Sequence, residues 1–482
     1  MRAIDGERAE LGGGVVAEPR YEGEDCRSTS RKELFGFYSY SCAIEIVVIA
    51  AVSSFLPITL EELARGHGVL QSDRTIPCST GLIQPPSGSH SSVSPQNGPP
   101  KHEQCIVSFL GNDINTASFA MYTFSFSVLV QALVVITMSG AADHGSYRKT
   151  LLLIFACTGA VSLMLFLPIT SSVYGLGALC AVIANVCLGA SYVLLNAYLP
   201  LLVRWHPSAH QSILTEESQP AVSDTRHGNE EADASLQHDH DGEEDMMDST
   251  QRLLPMSNTP TANNISSTAP DAEIQLSTQI SSYGIGIGYL AALVVQLITI
   301  VMVIATGSTN FSLRLALFHV GVWWLIFSLP AAYCLRPRPG PPLIASNNST
   351  SLDSKAQPRS WLSYLTYSWK KLFRTAMQAG RLKDVLLFLA AWFMISDAIA
   401  TVSGTAILFA KTSLNMRPAA LSFINVVATM FGVIGAFSWR GLSEYFGLRP
   451  HQTVIACICI FEIIPLYGLL GYIPAIQRAG NF

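Results

Sequence analysis

The stretch Gly140-Ala141-Ala142-Asp143-His144-Gly145-Ser146-Tyr147-Arg148-Lys149 joins two long apolar segments by a short, charged turn hinged on glycine. Apolar residues fill 118–140 before it and 151–169 after it, each run long enough for a helix to cross about 30 Å of hydrocarbon. A connection this short must lie at one membrane face. Gly140 and Gly145 let the chain reverse, Asp143 is placed to accept from helix-end amides, and Arg148 with Lys149 reads as a cytoplasmic anchor.

The same grammar returns in Gly441-Leu442-Ser443-Glu444-Tyr445-Phe446-Gly447-Leu448-Arg449, again between apolar spans. In both copies an acid stands three residues after the first glycine and a basic residue eight after it. Short cytoplasmic turns often collect such residues, which is the plain alternative. Two copies at corresponding places favour a carrier built from two like halves, with these turns gating one face. The pattern resembles the loop between the second and third helices of the major facilitator superfamily.

A second correspondence supports the repeat. Glu45 precedes Arg65 by twenty residues in the first span, and Asp397 precedes Arg417 by twenty in the seventh. A carboxylate inside hydrocarbon costs on the order of 3 kcal/mol or more on insertion. Glu45 and Asp397 are therefore read as lining one central cavity, pairing with a substrate amine or carrying a proton; the alternative is that each satisfies a polar neighbour.

Composition agrees with a bilayer setting. The 482 residues are 49% hydrophobic and only 13% charged, with a mean hydropathy of +0.35. The net charge of -5 reflects mainly 204–280, which holds fourteen acids against three Arg. Outside that tract no basic footprint for nucleic acid remains. The ten Cys show no zinc spacing, and no Gly-x-Ser-x-Gly elbow or phosphate loop is present, so neither an enzyme nor a cofactor is expected.

Taken in order, 1–33 reads as a disordered cytoplasmic head, and 34–203 as four transmembrane helices with a long lumenal loop at 61–113. That loop holds Cys78 and Cys105, which form a disulfide in an oxidising lumen or stay free thiols. Asn185 and Asn196 in the fourth span and Asn425 in the eighth need partners at a helix interface or in a wet cavity. Residues 204–281 form an acidic disordered linker, and 282–335 hold the fifth and sixth spans, the fifth opening with Gly284-Ile285-Gly286-Ile287-Gly288 for close helix contact. Residues 336–383 make a basic cytoplasmic loop with an amphipathic helix, where Trp361, Leu365, Leu372 and Met377 recur near helical spacing among Lys370, Lys371 and Arg374. That helix lies on the membrane or packs in the cytoplasm. Spans seven to nine occupy 384–475, and 476–482 is a tail.

Nine spans put 22 of the 29 Lys and Arg on the side of the opening turn, which makes the N-terminus cytoplasmic. Of the sequons, only Asn310-Phe311-Ser312 then faces the lumen as a glycosylation candidate.

Several stretches carry a specific resemblance: Ala117-Ser118-Phe119-Ala120-Met121-Tyr122-Thr123, Ala141-Ala142-Asp143-His144-Gly145, Asn196-Ala197-Tyr198-Leu199-Pro200-Leu201-Leu202, Arg336-Pro337-Arg338-Pro339-Gly340-Pro341-Pro342 and Asp397-Ala398-Ile399-Ala400-Thr401-Val402-Ser403-Gly404. With the central Glu45, they resemble the autophagy-related protein 22 family over nearly all the chain outside the linkers. The resemblance implies a fungal vacuolar membrane protein of major facilitator type, exporting amino acids such as leucine to the cytosol after autophagic breakdown. The expected fold is thus an all-α polytopic membrane protein, a major facilitator-like bundle with about nine spans. Because that family has about twelve, the second half is expected to be incomplete. The partners expected are an amino-acid substrate and membrane lipid; protein partners are not specified by the sequence. The rival reading is a non-transporting vacuolar membrane protein, a scaffold or a factor for autophagic body breakdown.

Overall fold

The computed structural model describes residues 21, 23–71, 74–78, 105–109, 111–207, 268–307, 309–341, 361–412, 416, 418–446 and scattered positions between 452 and 466. The apolar runs are helical because a helix bonds every backbone amide within its own segment, which hydrocarbon demands. Among the described residues seven helices are long and apolar enough to cross a membrane. They are α1 (Arg31–Arg65), α2 (Thr116–Asp143), α3 (Tyr147–Met164), α4 (Ser171–Arg204), α5 (Thr268–Ala305), α6 (Asn310–Cys334) and α8 (Lys383–Thr412, apolar over Lys383–Val402). The chain is therefore an all-α polytopic membrane protein. Between α6 and α8 lies the amphipathic α7 (Trp361–Ala379), and α9 (Pro418–Tyr445) carries a shorter apolar stretch, Ala420–Gly435. Most of the ninth expected span, 453–473, lies outside the described residues, as does the greater part of the acidic linker. The helix α5 begins at Thr268, upstream of the edge expected at 282.

The axis of the bundle is α1. It starts where the Ser30 side chain accepts from the Glu33 amide, satisfying a helix-end donor. Its middle, Val47–Phe55, is wound as a π-helix, a wider turn whose backbone bonds run i→i+5. Both α5 and α6 lie along α1; α3 packs against α4 and α6, α2 against α4, and α9 against α5. The most apolar window of α1 is 72% buried inside the protein, against 22% for α2 and 0% for α8. The principal neighbours of α8 are α7 and α9, so that helix presents nearly its whole surface outward.

The polar loop after α1 is not structureless. Strands β1 (Val69–Leu70), β2 (Cys105–Phe109) and β3 (Asn112–Asn115) form a small antiparallel sheet in that order. A disulfide joins Cys78 to Cys105. The sheet runs straight into α2 through Asn115, whose side chain accepts from the Ala117 amide at 2.9 Å. The Tyr174 hydroxyl donates to the Ser108 carbonyl at 2.6 Å, which fastens the sheet over the start of α4.

Candidate functional site

Glu45 sits near the middle of α1, 9% exposed, in the wall of a cleft between α1, α4 and α5. The cleft is small and partly open, its roughly 310 Å3 including open solvent, and is lined by Phe37, Ser41, Ile44 and Glu45 from α1, Tyr192, Leu195 and Asn196 from α4, and Ser281 and Ile285 from α5. The glycine-rich opening of α5 makes room for the carboxylate. A Cβ on Gly288 would lie 2.6 Å from Glu45 Cγ, and one on Gly284 would lie 3.2 Å from Ser41 Oγ. Among the described residues no Lys, Arg or His forms an ion pair with Glu45. The site thus offers an acidic group, an amide and three hydroxyls, those of Ser41, Ser281 and Tyr192, against aliphatic and aromatic walls.

Asp397 is not brought to this cleft. It lies exposed on α8, the helix with the least buried surface, so the second carboxylate and Glu45 share no cavity among the described residues. Asn185 is a strut: its Nδ2 donates to Ser127 Oγ at 2.9 Å, tying α4 to α2. Asn196 is exposed in the cleft wall.

Asn425 marks a second polar locus. Its Nδ2 donates to the Ile49 carbonyl at 3.0 Å and to Ser54 Oγ at 2.7 Å, both on the π-wound part of α1. Gln296 Nε2 from α5 donates to the same Ser54 Oγ at 3.0 Å and approaches the Ser422 carbonyl at 3.5 Å. Gln296 is fully buried, and its Oε1 and the Ser422 hydroxyl find no hydrogen-bond partner among the described residues. Asn425 and Gln296 thus converge on the widened turn of α1. Sequence reading weighed the three asparagines and missed Gln296; its signal was the one amide in the run Leu293-Val294-Val295-Gln296-Leu297-Ile298.

The opening turn is wrapped by other segments. Arg148, read from sequence as a cytoplasmic anchor, is 5% exposed. Its Nε donates to the Ala142 carbonyl at 2.7 Å and its Nη1 to the Arg338 carbonyl at 3.2 Å, and the guanidinium lies 5.5 Å from the Tyr198 ring centroid. Arg338 in turn grips Glu33 through Nε at 2.6 Å and Nη2 at 2.9 Å, with side-chain exposures of 2% and 0%. The Gly340 amide donates to the Gly145 carbonyl at 2.9 Å, and a Cβ on Gly340 would run into the Asp143 carbonyl. Only glycine fits there. Gly145 itself turns with φ +74°, a left-handed conformation that glycine adopts without strain. Tyr21 donates to the Pro339 carbonyl at 2.8 Å, and in the same N-terminal segment Arg27 holds the Asp25 carboxyl down at about 2 by a direct hydrogen bond. The Arg-Pro-Arg-Pro-Gly stretch is therefore the clasp that joins the turn to the head of α1.

Among the described residues Asp143 bonds no helix-end amide; its carboxylate faces Lys371 of α7 at 3.9 Å, and Lys149 is half-buried. In the second copy, Gly441 and Glu444 fall in the last turns of α9, while Gly447 and Arg449 lie outside the described residues. Asn310 is exposed at the first turn of α6. The hydroxyl residue of its sequon, Ser312, is fully buried in a capping box with Thr309.

The comparisons with known proteins agree with one another. The family model described as vacuole effluxer Atg22 like matches residues 29–481. Autophagy-related protein 22-1 of Emericella nidulans is 54% identical over 474 residues, covering 96% of this chain and 76% of its own length. Autophagy-related protein 22-1 of Penicillium rubens is 51% identical over 468 residues, with the same 96% and 76% coverage. Autophagy-related protein 22 of Botryotinia fuckeliana is 52% identical over 464 residues, covering 95% of this chain and 67% of its own. No solved structure matches. With a family match from residue 29 to residue 481 and relatives more than half identical across nearly the whole chain, the protein belongs to the Atg22-like vacuole effluxer family.

Proposed function

We propose that the protein is a secondary transporter of the vacuolar membrane that moves amino acids, leucine among them, from the vacuole to the cytosol when autophagic material is degraded. In this reading nine spans form a major facilitator-like bundle, the N-terminus and the 140–149 turn face the cytosol, and Asn310 faces the lumen. The observation that carries it is Glu45: a carboxylate 9% exposed, with no cation paired to it among the described residues, in the wall of a cleft between α1, α4 and α5.

The chemistry follows from the lining. A free amino acid brings an ammonium, and an anionic Glu45 attracts it; a proton competes for the same oxygens. Phe37, Ile44, Leu195 and Ile285 suit an aliphatic side chain. Ser41, Ser281 and Asn196 supply hydroxyls and an amide for the substrate's polar end. Access alternates as the clasp of 21–30, 140–149 and 336–341 opens and closes one end of the bundle. Asp397 enters this scheme only where α8 turns toward the cleft during the cycle.

Counterflow of labelled leucine into liposomes that hold the purified chain and unlabelled leucine tests the proposal. Uptake above that of empty liposomes is expected. A folded, correctly inserted protein that exchanges no amino acid would favour the non-transporting scaffold.

A further inference from the structure

Helix α7 has one docked side and one bare side. On the docked side Ser368, 2% exposed, accepts through its Oγ a hydrogen bond from the Gly140 amide at the end of α2, at 2.8 Å. Tyr367 meets the His144 ring edge-on at 5.2 Å, and Lys371 faces Asp143 at 3.9 Å. The opposite side exposes Trp369, Leu372, Phe373 and Met377 at 41%, 44%, 66% and 57%. Along its edge stand Lys370 and Arg374, both exposed, and the link to α8 adds Arg381 and Lys383; between 361 and 383 there is no acid.

Position decides what covers this surface. One flank of α7 is fixed to the end of the span α2, and its C-terminus passes through 380–382 into α8, apolar and membrane-crossing from Lys383. A helix tethered between two span ends lies along the plane of the bilayer surface. An apolar stripe bordered by cations in that plane matches acyl chains below and anionic headgroups beside it.

We propose that the bare face of α7 docks on the anionic phospholipid headgroups of the leaflet next to the 140–149 turn, and that this contact holds α7 against the turn. The bilayer's surface charge is thereby read out at Gly140, Asp143 and His144. This rests on the membrane placement of the helices and not on what the protein carries, so it stands or falls separately from transport.

The test is hydrogen–deuterium exchange of the full chain in nanodiscs of phosphatidylcholine alone or with added phosphatidylserine. Each basic side chain near an anionic surface shifts such an equilibrium roughly fivefold. Phosphatidylserine is therefore expected to slow exchange in both 361–379 and 138–149, by up to about 25-fold for Lys370 and Arg374 together. K370Q/R374Q should lose that response in both segments, and the charge-conserving K370R/R374K should keep it, which separates loss of charge from loss of fold. Ser368→Ala should keep the response in α7 and lose it in 138–149. Equal exchange in the two lipids, or a response that survives K370Q/R374Q, would overturn the docking; a lipid response in α7 without one in the turn of the unaltered chain would overturn the coupling.

Discussion

Breaking the Glu33–Arg338 pair is expected to be the most damaging single change outside the apolar core. Both side chains are almost wholly buried, at 0% and 2% exposure, and two hydrogen bonds of 2.6 and 2.9 Å join them. Removing one member leaves an uncompensated charge with no water to receive it, which costs about 3–5 kcal/mol. The two variants should differ. Glu33→Gln leaves the guanidinium with the Arg27 carbonyl and Thr29 Oγ1, both at 3.3 Å, and belongs at the lower end of that range. Arg338→Ala strands a carboxylate and also frees the 27–29 segment, so it belongs at the upper end. Replacing both removes the buried charges together, and the double variant should be more stable than the sum of the single losses by about 2 kcal/mol or more. Equilibrium unfolding in mixed detergent, followed by tryptophan fluorescence, measures all three. Single losses under about 1 kcal/mol, or strict additivity, would refute the argument that this pair locks the clasp.

Gln296→Met should change stability by less than about 1 kcal/mol in the same assay, because an apolar replacement discards an unsatisfied Oε1 along with one hydrogen bond. Asn425→Ala should cost about 1–2 kcal/mol, since it removes the hydrogen bonds that its amide donates to the Ile49 carbonyl and Ser54 Oγ. Cys78→Ser should lower stability by about 3.5 kcal/mol relative to the oxidised protein, the loop-closure figure for a separation of 27 residues, and the loss should match that produced by reductant. Asp25 contributes above its unfolded value of 3.8 and loses that contribution as pH falls toward about 2. Protection of the 23–30 segment in hydrogen exchange should accordingly be the same at about pH 7 and about pH 5.

The membrane-spanning helices were legible because length and hydropathy are local properties: the turn 140–149 and the runs on either side placed α2 and α3 from sequence alone. Glu45 stood out because a carboxylate in an apolar span is rare, and the fold puts it in the wall of a cleft between α1, α4 and α5. The Gly284 and Gly288 spacing announced close helix contact without saying that the partner was Glu45. What the sequence hid were long-range pairings. Arg336-Pro337-Arg338-Pro339-Gly340 looks like a basic, proline-rich linker, and nothing local shows that Arg338 is buried against Glu33, some 305 residues away. For the same reason Arg148 resembled a cytoplasmic anchor. The π-winding of Val47–Phe55 has no strong local signature beyond its β-branched residues, so the locus at Ser54, Gln296 and Asn425 emerged only with the fold. Asp397 and Glu45 match in sequence position, yet packing treats them differently, because α1 is the axis of the bundle and α8 lies on its outside.

The role of Glu45 as the group that recognises a substrate ammonium is tested most directly by discrimination between leucine and its analogue lacking the amine, 4-methylpentanoate. Competition of each against labelled leucine counterflow should show strong preference for leucine in the unaltered chain. Glu45→Gln, with unchanged insertion and thermal stability, should lose at least about tenfold of that preference, the loss expected when one buried charge-assisted contact is removed. An unaltered chain that already accepts both compounds equally, or a Glu45→Gln variant that still prefers leucine as before, would contradict the account.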